Sequence, residues 1–269
     1  MNAFTIKNLE CAYKDGHTVL RVPLLEVPYG KIFVFLGPSG VGKSTLLETL
    51  GLMNHTIKTG KVTFSQGSVD FLNLWTNDQK SIPDLRSEHM SFIFQENNLL
   101  DNLSAIENAM IPLLIQGETE DNARSIIREW CINLDLAFIN EKTRVSELSV
   151  GQKQRLAFIR AASPKFTVLF GDEPTGNLDE KNGDILMNAL RKKIKSDESQ
   201  MLSIIVSHDI DLALKFADEI IILTKDQMRS GIIKTEHILR KEPTGVSDWV
   251  QNNGYFTTAS ARKYISNLL

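Results

Sequence analysis

The run Lys31-Ile32-Phe33-Val34-Phe35-Leu36, the loop Gly37-Pro38-Ser39-Gly40-Val41-Gly42-Lys43-Ser44-Thr45 and the apolar-periodic segment reaching about Leu52 form the most informative stretch of the 269 residues. An unbroken apolar run of strand length predicts a buried strand, and the spacing that follows the loop predicts a helix. Between them the residues match G-x-x-x-x-G-K-[ST]. Glycines there let successive backbone N–H groups turn inward around phosphate oxygens, and the positive end of the helix adds to the attraction. Lys43 is placed to reach the β- and γ-phosphates, and the Ser44 hydroxyl to ligate magnesium. Residue frequencies give such a match by chance in roughly 1% of chains of this size. The strand before it and the helix after it reduce that further, so the loop predicts a site for ATP with Mg2+.

A second strand-like run, Thr167-Val168-Leu169-Phe170-Gly171, ends in Asp172-Glu173. On its own this pattern is most often a strand running into a solvated acidic turn. In a chain that also carries a phosphate loop, Asp172 is the expected second magnesium ligand at the carboxyl end of the strand. Glu173, pointing elsewhere, is then the expected base for an attacking water.

Around these motifs, strands and helices alternate. Phe4 to Leu9 alternates as a half-exposed strand, and Lys61–Phe64 with Ser68–Leu72 reads as a hairpin about Gln66-Gly67. Met90–Phe94, Met201–Val206 and Glu219–Leu223 read as further strands, with helices predicted over Lys181–Lys195 and Ile210–Ala217. From about Ser104 to Ala162, segments such as Asn122–Trp130 have helical spacing and strand-like runs are scarce. The predicted class is α/β: a P-loop NTPase core with a mainly parallel sheet, an antiparallel β subdomain and an all-helical insertion over about 96–162. An ATPase domain is expected over 1–224. The tail 225–269, with Trp249, Tyr255, Phe256 and Tyr264, is expected to be a pair of helices packed on the core; the competing reading is a regulatory segment.

Composition agrees with a soluble globular protein: 42% apolar and 23% charged residues, with a net charge of −3. That charge gives no reason to expect nucleic acid. The two cysteines, Cys11 and Cys131, have no metal-type spacing and fit a reducing compartment. With no basic-then-apolar leader and no apolar run near the ~18 residues of a membrane span, the expectation is a cytoplasmic chain whose membrane role needs another polypeptide.

Leu148-Ser149-Val150-Gly151-Gln152-Lys153-Gln154-Arg155, before Asp172, narrows the field. A serine and a glycine at a helix start can form an anion site, although the pattern alone is only a helix cap. In this position it resembles the L-S-G-G-Q signature of the ABC ATPases. By that resemblance, Leu148, Ser149, Val150, Gly151 and Gln152 contact the γ-phosphate of ATP held by the opposite subunit of a head-to-tail dimer. The same resemblance makes Tyr13 the aromatic that stacks on adenine, though a lone tyrosine there is more often core or surface. It makes Gln95 a magnesium contact, Asn177-Leu178-Asp179 the segment where subunits touch, and His208 the γ-phosphate contact. Homodimer and heterodimer both remain open. Permease subunits with few spans are the implied partners, because Glu173-Pro174-Thr175-Gly176-Asn177 and the run from Gln95 through Glu107-Asn108 to Pro112 resemble the macrolide-exporter, lipoprotein-release and cell-division group. Asn97, Asn98, Leu99 and Leu100 are candidates for the permease groove, although the leucines equally suit packing.

Three departures stand out. Val150 replaces the usual glycine, and a β-branched residue disfavours positive φ, so modestly altered dimer closure is expected. Gly171 replaces a larger apolar residue, which suggests looser packing, and the link Ala162-Ser163-Pro164-Lys165 is short. An importer ATPase is the nearest alternative. A DNA-repair ATPase would carry long heptad coiled coils, and none is visible. A translation factor of this type would need a second phosphate loop, and a small-molecule kinase has no use for the signature.

Overall fold

The computed structural model describes residues 1–14, 16–196, 200–242, 248–251 and 254–269. Among them, twelve strands join one mixed sheet. Strands β1 (Asn2–Ala12), β2 (Thr18–Pro28), β3 (Ile32–Leu36), β4 (Ile57–Phe64), β5 (Val69–Asp70) and β6 (Met90–Ile93) come from the first third of the chain. Later come β7 (Val168–Asp172), β8 (Leu202–Ser207), β9 (Glu219–Lys225), β10 (Gly231–Lys241), β11 (Trp249–Gln251) and β12 (Gly254–Phe256). The order is β5-β4-β1-β2-β10-β9-β3-β8-β7-β6, with the paired strands β11 and β12 attached to β10.

The strands β9, β3, β8, β7 and β6 are parallel neighbours. The β5-β4-β1-β2 half is antiparallel, as is the β9–β10 pair. The expectation of a mainly parallel sheet therefore holds for the half that carries the phosphate loop, and the sheet as a whole is mixed. The expected hairpin is also shorter than its apolar pattern suggests. Asp70 ends β5 and accepts hydrogen bonds from the amides of Leu72 and Asn73. It thereby caps helix α2 (Phe71–Asn77) where a longer strand was expected.

Between β3 and β4 runs α1 (Lys43–Leu50), and α3 (Ile82–His89) precedes β6. The insertion carries α4 (Ala105–Ile115), α5 (Glu120–Asn133) and α6 (Val150–Ala162). Helices α7 (Glu180–Ile194), α8 (Ile210–Phe216) and α9 (Thr258–Leu268) complete the set. Burial on both faces explains why β3 shows no alternation in sequence: Phe33 and Phe35 pack in one core with Leu46, Leu47 and Leu50 of α1. Ile32, Val34 and Leu36 join the other core, with Leu186, Met187 and Leu190 of α7.

The tail differs from expectation. In place of two helices, its described residues supply β10, the paired strands β11 and β12, and one helix, α9. Strand β10 lies inside the sheet, parallel to β2 and antiparallel to β9, so the sheet does not end at residue 224. Its β-branched residues Ile232, Ile233, Thr235 and Ile238 suit a strand better than a helix. Trp249 is fully buried, and α9 seats Ala261 and Ile265 in the same core as α7.

Candidate functional site

Parallel register brings the sequence motifs to one edge. Leu36 pairs with Ser207, and Asp172 with Val206. Gly37, the Asp172-Glu173 pair and His208 therefore leave β3, β7 and β8 side by side at their carboxyl ends, where α/β sheets bind ligands. Ile93 pairs with Gly171, which puts the exposed Gln95 beyond the same end of β6.

The loop itself depends on two glycines. Gly42 adopts φ 97° as the residue before α1, a conformation that L side chains rarely tolerate. A Cβ on Gly37 would lie 2.9 Å from the Leu223 carbonyl oxygen, so the loop passes too close to β9 for any side chain. No side chain caps α1, which leaves its first amides facing outward as an anion site. Lys43 turns its Nζ onto the loop, donating to the carbonyls of Gly37 at 2.6 Å and Pro38 at 3.1 Å. Burial holds the Lys43 ammonium below its ordinary pKa, against the attraction of Glu173 and Asp172. Tyr13 reaches this loop through a 3.0 Å hydrogen bond between its hydroxyl and that of Thr45. With Val19, Gly40, Gly42 and Lys43 to Thr45 it lines a cavity of about 290 Å³.

Ser44 and Asp172, the two predicted magnesium ligands, meet: Ser44 Oγ donates to Asp172 Oδ2 at 3.4 Å. Burial, with the Glu173 charge beside it, raises the Asp172 carboxyl above its ordinary pKa. A hard divalent cation would relieve both effects. Two protein oxygens, with the remaining positions left for phosphate and water, fit the way Mg2+ is usually held. The residues present thus suit the ion.

Glu173 is tightly held. His208 Nδ1 lies 2.8 Å from Glu173 Oε1, and Ser207 Oγ donates to Oε2 at 3.2 Å. Its backbone is left-handed at φ 50°, a conformation costing on the order of 1 kcal/mol that surrounding contacts must maintain. The Glu173 amide donates to the Val206 carbonyl at 3.0 Å, anchoring that turn to β8. A partly buried carboxylate fixed at the end of a strand and next to a phosphate loop can take a proton from water.

The residues that resemble the signature open α6, whose first turn lies against the segment after Glu173. Ser149 caps α6: its Oγ accepts from the Gln152 amide at 3.3 Å, while the Ser149 amide donates to Gln152 Oε1 at 2.8 Å. Leu148 is buried and Val150 is 61% exposed. Val150 is the first residue of α6 and is absent from the positive-φ set, so the expected backbone conflict does not arise. With the strain gone, the reason for expecting altered dimer closure goes too. At Gly171 a Cβ would meet Pro174 and Ile205 at the ordinary contact distances of 3.5 and 3.6 Å, so the glycine leaves room for one methyl group. Asn177 and Leu178 pack on the start of α6, Leu178 Cδ2 lying 3.4 Å from the Cβ position of Gly151. Asp179 instead caps α7 by accepting from the Asn182 amide at 2.8 Å.

Sequence reasoning missed two contributors. Ser207, fully buried, binds Glu173 and also accepts from the Asp209 amide at 3.0 Å. Gln154 is 1% exposed, and its amide reaches the Glu173 and Pro174 carbonyls. The available signal was a polar residue on the face of α6 that Ala157, Phe158 and Ala161 make apolar. The groove candidates divide: Leu99 packs on the core, Leu100 is exposed, and Arg160 of α6 holds the Asn97 and Asn98 carbonyls at 2.8 and 2.6 Å. Asn108 anchors the neighbouring loop, donating to Leu100 O at 2.9 Å and accepting from the Leu100 amide at 2.7 Å.

Comparison with known proteins agrees with this geometry. The ABC transporter family model matches residues 20–176. The lipoprotein-releasing system ATP-binding protein LolD of Zymomonas mobilis is 35% identical over 225 residues, covering 82% of this chain and 93% of that protein. The L-cystine transport system ATP-binding protein TcyN of Escherichia coli is 31% identical, covering 85% of this chain and 89% of that one. Among solved structures, the ATP-binding cassette MJ0796 in a dimeric post-hydrolysis state with ADP and Pi superposes with a TM-score of 0.73 at 28% identity, over 86% of this chain and 96% of that one. MJ0796 is a protein of Methanocaldococcus jannaschii. Motifs, fold and relatives converge, and the chain belongs to the ABC transporter family.

Proposed function

We propose that this chain is the ATP-hydrolysing subunit of a transport or force-transmitting complex, working as an ATP-closed dimer on a separate membrane permease. The observation that carries the reading is the Glu173–His208 pair, set beside Lys43, Ser44 and Asp172 at one sheet edge. ATP is held by Tyr13 at the base and by the loop Gly37–Thr45 at the phosphates. Ser44, Asp172 and Gln95 would hold Mg2+, which when bound neutralises phosphate charge. Two ATPs are enclosed between the loop of one chain and Leu148–Gln152 of the other. The Asn177-Leu178-Asp179 segments meet across the interface.

Glu173 orients a water against the γ-phosphorus and takes its proton. The water oxygen forms the new bond to phosphorus, and the bond to the β–γ bridging oxygen breaks, leaving ADP. His208 holds the γ-phosphate oxygens, and charge separation then favours opening. No helix among the described residues is long and apolar enough to cross a membrane. In this reading the permease is made of other chains, and this one sits against it at the inner face of the cell membrane.

Resemblance through Glu173 to Asn177 and Gln95 to Pro112, with the LolD relative, favours the exporter or lipoprotein-release group. The TcyN relative keeps an importer as the second reading. Copurification of the Glu173→Gln chain with ATP from detergent-solubilised membranes of its own cell separates them. A permease with few spans and a large extracytoplasmic domain supports the first reading, and a many-spanning permease the second. Recovery of soluble or nucleic-acid-linked proteins alone would remove the transport claim.

A further inference from the structure

We propose that Gln154 is a positioning residue for Glu173, tying the signature helix to the catalytic loop so that the base is aimed only while both move as one body. This rests on the reading of Glu173 as the base. The Gln154 side chain, 1% exposed, makes three hydrogen bonds to one short segment. Its Nε2 donates to the Glu173 carbonyl at 3.2 Å and to the Pro174 carbonyl at 2.8 Å. Its Oε1 accepts from the Asn177 amide at 3.0 Å.

Only a carboxamide suits that demand. Two carbonyls need two donors and one N–H needs an acceptor, all from a single planar head. An ionised glutamate has no donor, methionine has neither, and asparagine is a methylene too short.

Glu173 is also the place where such a tether has leverage. Its left-handed backbone, φ 50°, must be held from both sides. The amide side is anchored to β8 through Val206. On the carbonyl side, the Gly176 amide donates within the turn, and Gln154 supplies the link that comes from outside it. Gln154 sits five residues after Ser149 on the same helix. Because Gly151 lets Leu178 approach the helix directly, the 173–178 segment rests on the first turn of α6. A shift of that turn when the partner's nucleotide docks therefore reaches the backbone of Glu173 through one buried side chain.

The test uses the full chain with Gln154→Met, Glu173→Gln and both together. It reads ATP affinity with a fluorescent ATP analogue, steady-state ATP turnover and the melting midpoint. Gln154→Met is expected to keep ATP affinity within about threefold while lowering kcat by about tenfold or more. The double variant is expected to be no slower than Glu173→Gln alone, because Gln154 acts through Glu173. Gln154→Glu, which has the same shape and retains the acceptor, is expected to lose kcat with ATP affinity retained. It serves if the methionine variant fails to fold.

A wild-type kcat in either folded Gln154 variant, or losses that multiply in the double variant, would overturn the proposal. So would parallel loss of kcat, affinity and melting midpoint, which is what a merely structural role predicts. Wild-type turnover by Glu173→Gln would instead overturn the base assignment itself, and this proposal with it. An inactive Glu173→Gln beside an unimpaired Gln154→Met overturns this proposal alone.

Discussion

The two helices that begin at the proposed phosphate-binding motifs, α1 and α6, start in opposite ways. Gly42 precedes α1 with a left-handed backbone and no side-chain cap, and Lys43 folds over the open end. Ser149 precedes α6 with a complete capping box, its hydroxyl and the Gln152 side chain each satisfying a backbone amide. The first end is open to an anion; the second is already complete. A hydroxyl that accepts from Gln152 still has its own proton to donate, so α6 can add a contact to a phosphate without giving up its cap. In the proposed cycle this makes α1 the permanent holder of ATP and α6 a reversible clasp.

Substitutions at the two helix starts should therefore separate binding from turnover. Lys43→Ala carries the largest expected effect: ATP affinity falls by on the order of a hundredfold, since a partly buried charge–phosphate contact is lost. Isothermal titration checks it, and unchanged affinity would break the assignment of α1 as the holder. Ser149→Ala should leave ATP affinity in the isolated subunit within about twofold and lower kcat about tenfold. Loss of the cap should also lower stability by about 1 kcal/mol, visible in denaturant unfolding.

Lys193 sharpens the contrast from outside both ends. It donates to the carbonyls of Ala162, Ser163 and Pro164, closing the far end of α6 and the short link to β7. Lys193→Met should cost about 1–3 kcal/mol of stability with ATP affinity unchanged. Burial pushes the Lys193 amine down to about 8 from 10.5. Between those values the unfolded chain binds more protons than the folded one. Wild type should thus gain stability relative to Lys193→Met as pH rises from about 8 towards 10.5, and lose that gain as pH falls back from 10.5 to about 8. The smallest effect belongs to Val150→Gly. Because Val150 is an unstrained, exposed helical residue, the change should cost a few tenths of a kcal/mol and leave kcat within about twofold.

Much of this was legible from the sequence because the loop, the acidic strand end and the signature each encode a local geometry in a few adjacent residues. Lys43, Ser44, Asp172, Glu173 and His208 met as expected, since parallel strands bring their carboxyl ends to one edge whatever lies between them. What could not be read depends on partners distant in sequence. Strand β10 gains its place from β2 and β9, some two hundred and ten residues apart at its Leu20 and Gly231 contact. No local period announces that pairing, so the tail passed for helices. Cutting the chain after Lys234, within β10, would split a sheet strand and report on folding rather than on regulation. Ser207 and Gln154 were missed for a similar reason: each is ordinary in its own helix or strand and becomes informative only when the backbone of Glu173 lies against it. The left-handed φ at Val150 was the opposite error, a local rule applied where the helix had already begun.

The central claim is that ATP closes two copies of this chain and that Glu173 hydrolyses it. Sedimentation velocity of the Glu173→Gln chain, with and without Mg-ATP, tests it most directly. The account predicts a monomer without nucleotide and a stable dimer with Mg-ATP, which Lys43→Ala in the same background abolishes. A Glu173→Gln chain that stays monomeric in saturating Mg-ATP, or that hydrolyses it at the wild-type rate, would contradict the account.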